Sequence, residues 1–65
     1  MCLATVYATG GAEPRKLCGN VEDIRLVDGK WVFTDIMGRT LSLEGNLERI
    51  NLSSNFIYIK EATQS

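Results

Sequence analysis

From Val21 onward the chain alternates short apolar runs with turn residues: VEDIRLV, DGK, WVFTDI, MGR, TLSL, EGN, LERINL, SSN and FIYIKE. The runs are rich in β-branched and aromatic residues and repeat with period two, so Ile24 and Leu26 share a face, as do Leu41 and Leu43, Ile50 and Leu52, and Ile57 and Ile59. That is the signature of half-buried strands. Asp28-Gly29 is the sharpest turn signal, because a type I′ turn needs positive φ at both central residues and this pair adopts it cheaply. It predicts a hairpin between strands around Ile24 to Val27 and Trp31 to Ile36. Gly38, Gly45 and Asn55 mark later turns on the same reasoning. A helix over LEGNLERINLSSN is disfavoured, since Gly45 and Asn46 interrupt it and Ser53-Ser54-Asn55 end it.

The start, MCLATVYA, reads as a further strand with Cys2, Ala4, Val6 and Ala8 on one face and Leu3, Thr5 and Tyr7 on the other. Gly10-Gly11 ends it. The stretch Ala12 to Asn20 holds the one proline and much polarity, and is expected to be a short edge strand or a loop. The expected fold is therefore all-β, a small single-domain barrel or rolled antiparallel sheet of about six short strands. Its domain covers residues 1–61, with a flexible tail at 62–65. Closure would also remove edges that invite aggregation.

Composition changes this picture in one respect. A chain of 65 residues buries only about 60% of the surface its unfolded form exposes, and its core is marginal. With 45% hydrophobic and 23% charged residues it is nonetheless globular. A partner subunit, metal or disulfide is expected to help, and a homodimer is the simplest such device. Net charge is −1, with seven basic residues against eight acidic. No global positive field draws a phosphate backbone, which argues against nucleic acid. No apolar stretch approaches a membrane span, and no signal peptide is expected, so the expected location is cytoplasmic.

The chain has two cysteines and no histidine. In a cytoplasmic chain such thiols are more often free, metal-binding or reactive than bridged, so a Cys2–Cys18 disulfide is the lesser expectation. Cys2 draws attention by position. With the initiator methionine removed, its thiol and the free α-amine would form a chelate; with Met1 retained, the sulfur would act with backbone amide nitrogen. Both are nitrogen and thiolate donors that metals bind by displacing protons. One chain offers too few for a closed site, whereas two chains meeting at a two-fold axis offer four. Thiolates alone favour Cu(I), zinc or iron–sulfur clusters; a planar set including backbone nitrogen suits Ni(II) or Cu(II). The plainer reading is that Cys2 packs as a small hydrophobe beside Ala4 and Val6, and Cys18 reads as an ordinary residue in a polar loop.

An enzyme is not expected. Glu13, Glu22, Asp23, Asp35, Glu44 and Glu48 include no pair that strand spacing brings together in a cleft, and a Cys2 nucleophile would lack a histidine base. An RNA-binding β-fold without metal is the alternative reading. Trp31, Phe33, Phe56 and Tyr58 would stack bases while Arg25, Lys30, Arg39, Arg49 and Lys60 contact phosphates. Against it, Trp31 and Phe33 lie in the strand most suited to the core. Phe56 and Tyr58, opposite Ile57 and Ile59, are better used as a dimer surface.

Taken together, the MCLATVY start, the VEDI and DGKWVFTDIMGR segments and the LERINLSSNFIYI ending resemble the CooT-type nickel-binding proteins over nearly the whole chain. That family also carries the label of predicted RNA-binding proteins. The resemblance implies a homodimeric small β-fold that binds Ni(II) through Cys2 of each subunit. It further implies a metallochaperone or nickel-buffer role tied to maturation of carbon monoxide dehydrogenase as client. Cys2 is the one residue to which the resemblance assigns a role.

Overall fold

A computed structural model describes residues 2–62 of the chain. It holds six strands: β1 (Ala4–Thr9), β2 (Arg15–Val27), β3 (Lys30–Asp35), β4 (Thr40–Leu43), β5 (Gly45–Asn51) and β6 (Phe56–Glu61). They form one sheet in the order β4-β3-β2-β1-β6-β5. No helix long and apolar enough to cross a membrane occurs among the described residues.

The turns follow their residues. Asp28 and Gly29 have φ of 50° and 79°, the two positive values a type I′ hairpin requires. Gly38 takes φ 83° between β3 and β4, and Asn55 takes φ 59° just before β6. Asn51 tightens that last turn by accepting hydrogen bonds at Oδ1 from the backbone N–H groups of Ser53 and Ser54.

Three features depart from the sequence expectation. Arg15–Asn20 is neither edge nor loop: it is the first half of β2, a 13-residue strand lying between β1 and β3. Its polar residues conceal the period because β2 carries an extra residue at each of three register shifts, opposite Ala4/Val6 and Val6/Tyr7 on β1 and between Val21 and Asp23 against β3. Such bulges bend a strand and increase its twist. Gly45 is not a turn residue but the first of β5, where a Cβ would fall 2.3 Å from the Lys60 carbonyl oxygen. Glycine is there for close approach of two backbones. The sheet is also not wholly antiparallel, since β1 and β6 run parallel with Val6 beside Ile57 and Ala8 beside Ile59.

Those four side chains, with Val21 and Phe33, are buried. Ala4, Leu17, Cys18, Trp31 and Leu43 pack around the cluster that those buried side chains, Ala8 excepted, build. The period-two reading of Ile57 and Ile59 thus marks core, whereas Leu52 falls in the turn after β5 and is exposed. The two edge strands, β4 and β5, are separated in the chain by Glu44 alone, so the sheet has to roll. Trp31 on β3 reaches across the roll, its Nε1–H donating to the Gly45 carbonyl at 3.0 Å. Ala62 N–H closes onto the Glu44 carbonyl; residues 63–65 of the expected tail lie outside the described residues. The roll remains open, because β4 and β5 do not pair and the molecule is flattened, 37 × 26 × 15 Å.

Candidate metal centre

Cys2 and Leu3 lead into β1 ahead of its first paired residue, Ala4. Ala4 still packs against the core and Cys2 does not: its thiol is free and exposed. The reading of Cys2 as a packed small hydrophobe therefore fails. β1 loses its neighbours at this point, and the inward face that holds Val6 and Ala8 has nothing to cover a residue two positions further out.

Cys18 is the converse case. It lies on β2 directly across from Val6, half-buried against the core, and not in a polar loop. Burial pushes its thiol pKa up, the Asp35 carboxylate pushes the same way, and Lys16 opposes them. A protonated, partly covered thiol is a poor ligand and a poor nucleophile. Cys18 lines a small cavity of about 80 Å³ with Val21, Phe33, Asp35, Arg39, Thr40 and Leu41. Of the two cysteines, Cys2 is exposed and Cys18 is partly covered.

Asp35, the buried carboxylate, is structural. Its Oδ1 accepts from the N–H groups of Met37 and Arg39, both at 2.9 Å, and its Oδ2 from Arg39 Nε at 2.8 Å. Burial alone would raise its pKa, but the hydrogen bonds from Arg39 and Met37 and the Arg39 charge outweigh it and hold the carboxyl below its ordinary value. A carboxylate with a depressed folded pKa contributes stability above its unfolded value, near 4, and loses that contribution as pH falls through the folded value. Asp35→Asn should lower the melting temperature by several degrees at pH 7 and bring the variant and wild-type curves together as the buffer is taken toward pH 3. Parallel melts across pH 3 to 7 check this; a constant gap throughout would mean that the charge is not what holds the turn.

On the outer face of the sheet, Tyr7, Phe56 and Tyr58 form one aromatic group. Tyr7 stacks on Tyr58 at 5.5 Å and meets Phe56 edge-on at 5.1 Å, and the Arg49 guanidinium sits 5.6 Å from the Tyr58 ring centre. Tyr7 was not legible as a member, since its place depends on the parallel β1–β6 pairing. The RNA-binding set is dispersed. Phe33 is in the core and Trp31 is bonded across the roll, while Arg25 and Arg39 are paired with Asp23 and Asp35.

Among the described residues no three His, Cys, Asp or Glu side chains gather to hold a metal. Cys2 with backbone nitrogen is a soft and borderline donor set that fits a thiophilic divalent ion, but one chain does not complete it.

Residues 1–60 match the family described as CO dehydrogenase accessory protein CooT. No curated protein matches the chain. In fold, the chain is similar to a protein from Carboxydothermus hydrogenoformans whose crystal structure carries a provisional CooT designation. The TM-score is 0.87 over 95% of this chain and 100% of that one. At 14% sequence identity, that likeness speaks for the fold alone.

Proposed function

Because the chain belongs to the CooT family of CO dehydrogenase accessory proteins, we propose that it is a nickel carrier that holds Ni(II) as cargo between the Cys2 residues of two copies. The family assignment supports an accessory role. The observation that carries the metal reading is the contrast between its two thiols: Cys2 exposed ahead of β1, Cys18 half-buried with a raised pKa. Carriage needs a thiolate that an ion can reach and leave, and a two-chain site supplies four donors without enclosing the ion. Nitrogen beside each sulfur favours Ni(II) over ions that prefer thiolate alone. CO dehydrogenase is the client that the family description supports, and a carrier kept in the cytoplasm would meet it there.

The test is an anaerobic titration of reduced protein with Ni(II), followed by ultraviolet absorption, with Zn(II) and Cu(I) as competitors. A thiolate-to-metal charge-transfer band should saturate at about half an equivalent per chain, as one ion between two chains demands. Saturation at one equivalent would remove the second chain from the site, and no band at all would remove the metal.

A further inference from the structure

Of the seven basic residues, Arg15, Arg25 and Arg39 are paired with Glu61, Asp23 and Asp35. Among the described residues the other four, Lys16, Lys30, Arg49 and Lys60, have no carboxylate within ion-pair distance. Three of them fall on one face. A row of outward residues crosses β2, β1, β6 and β5, with Lys16 beside Tyr7, Tyr7 beside Tyr58 and Tyr58 beside Arg49, and Lys60 follows two positions along β6 on the same side.

Two local details put the charge there. β5 carries an extra residue between Leu47 and Arg49, so Arg49 and not Glu48 stands opposite Tyr58; a bulge re-aims a side chain in this way. The Arg49 guanidinium then lies 5.6 Å from the Tyr58 ring centre. At the other end of the row Gly19 has no side chain and Lys16 lies over it: a Cβ there would stand 3.5 Å from Lys16 Cε, 3.6 Å from its Nζ and 4.0 Å from Thr5 Oγ1. Glu48 is turned to the far margin of the face, where it accepts from Thr9. The chain as a whole carries −1, yet this face is positive.

The rings decide what that charge can hold. Tyr58 stands between Tyr7 and Arg49, and Tyr7 between Tyr58 and Lys16, so the tyrosine faces are turned toward one another and toward the flanking cations. A nucleobase needs a free ring face to stack on, whereas ring edges carry the positive end of the aromatic quadrupole and suit anionic oxygen. We propose that this face, with Phe56 and Lys60 at its margins, docks an acidic segment of a partner protein. Carboxylates of the segment meet the unpaired cations, and its apolar side chains cover Phe56 and the ring edges. Nothing in the contact uses Cys2, so it is independent of the nickel reading.

Fluorescence anisotropy of the whole chain with a fluorescein-labelled peptide of alternating glutamate and leucine tests this. Wild type should bind the peptide, less tightly as salt is raised, and should not bind the matching lysine and leucine peptide. Arg49→Glu should weaken binding by about tenfold or more, whereas Lys30→Glu, the same change of charge beside the Asp28-Gly29 turn, should stay within about twofold. Both side chains are exposed, so the circular dichroism spectrum should not change. Cys2→Ala, which tests the nickel reading, should bind the peptide as wild type does. Absence of binding, or equal loss in the two charge variants, would overturn the proposal, the latter by reducing the effect to net charge. Tighter binding of oligouridine than of the acidic peptide would give the face to nucleic acid, and a smaller sedimentation coefficient for Arg49→Glu would give it to a second copy of the chain; either result would also overturn it.

Discussion

Cys2→Ala should lower Ni(II) affinity by at least about 100-fold and abolish the charge-transfer band, while Cys18→Ala leaves both within about twofold. On the proposed reading the Cys2 thiolate is the ligand, and losing a first ligand exceeds the 10- to 100-fold effects typical of residues that only orient one. In this chain the asymmetry is structural. Cys18 sits opposite Val6 with its thiol pKa raised by burial and by Asp35, so nickel binding there would require deprotonation against both influences. Cys2 is exposed, ahead of the first paired residue of β1. Since a dimer site uses the same residue twice, one substitution removes both sulfurs. Equilibrium dialysis with each variant at matched concentration measures the difference. Retained binding in Cys2→Ala with loss in Cys18→Ala would reverse the assignment and point into the cavity beside Phe33.

Local chemistry made some of this structure legible and not the rest. Asp28-Gly29 fixes its hairpin because the requirement for two positive φ values is met within two residues, and Ile57 and Ile59 declare a buried face because the extra residue at the β5–β6 register shift lies on β5 and leaves the period of β6 intact. Arg15–Asn20 hid its strand for the opposite reason. With three extra residues along β2, inward positions no longer fall at every second residue, and period two is lost exactly where the strand bends. Gly45 looked like a turn because glycine permits turns, yet its use is the 2.3 Å that a Cβ would leave to a carbonyl from a strand ending sixteen residues later, a contact no local pattern encodes. The parallel β1–β6 pairing, and with it the Tyr7 cluster, is equally non-local. As for the proposed site, its thiol was visible as residue 2, whereas its exposure depends on where the pairing of β1 begins.

The other large effect belongs to the core. Phe33→Ala should destabilise the domain by about 3–5 kcal/mol, the usual range for removing a buried aromatic ring. Phe33 is 1% exposed and packs in a cluster of only five buried residues, drawn from β1, β2, β3 and β6. At roughly 0.05–0.15 kcal/mol per residue, a 65-residue chain has about 3–10 kcal/mol in all. The variant should therefore lose a large share of that stability in dilute, metal-free solution. It should regain stability as concentration rises and as Ni(II) is added, because association and metal binding both draw on the folded state alone. Leu52→Ala is the control for folding, since that side chain is mostly in solvent and its loss should cost the monomer little. Urea titrations monitored by circular dichroism at two protein concentrations, each with and without nickel, separate the contributions. A Phe33→Ala midpoint equal to wild type in dilute solution would mean that the inner face of the roll is not what holds the sheet. Recovery with concentration but not with nickel would assign the missing stability to association of chains and leave the metal as a passenger.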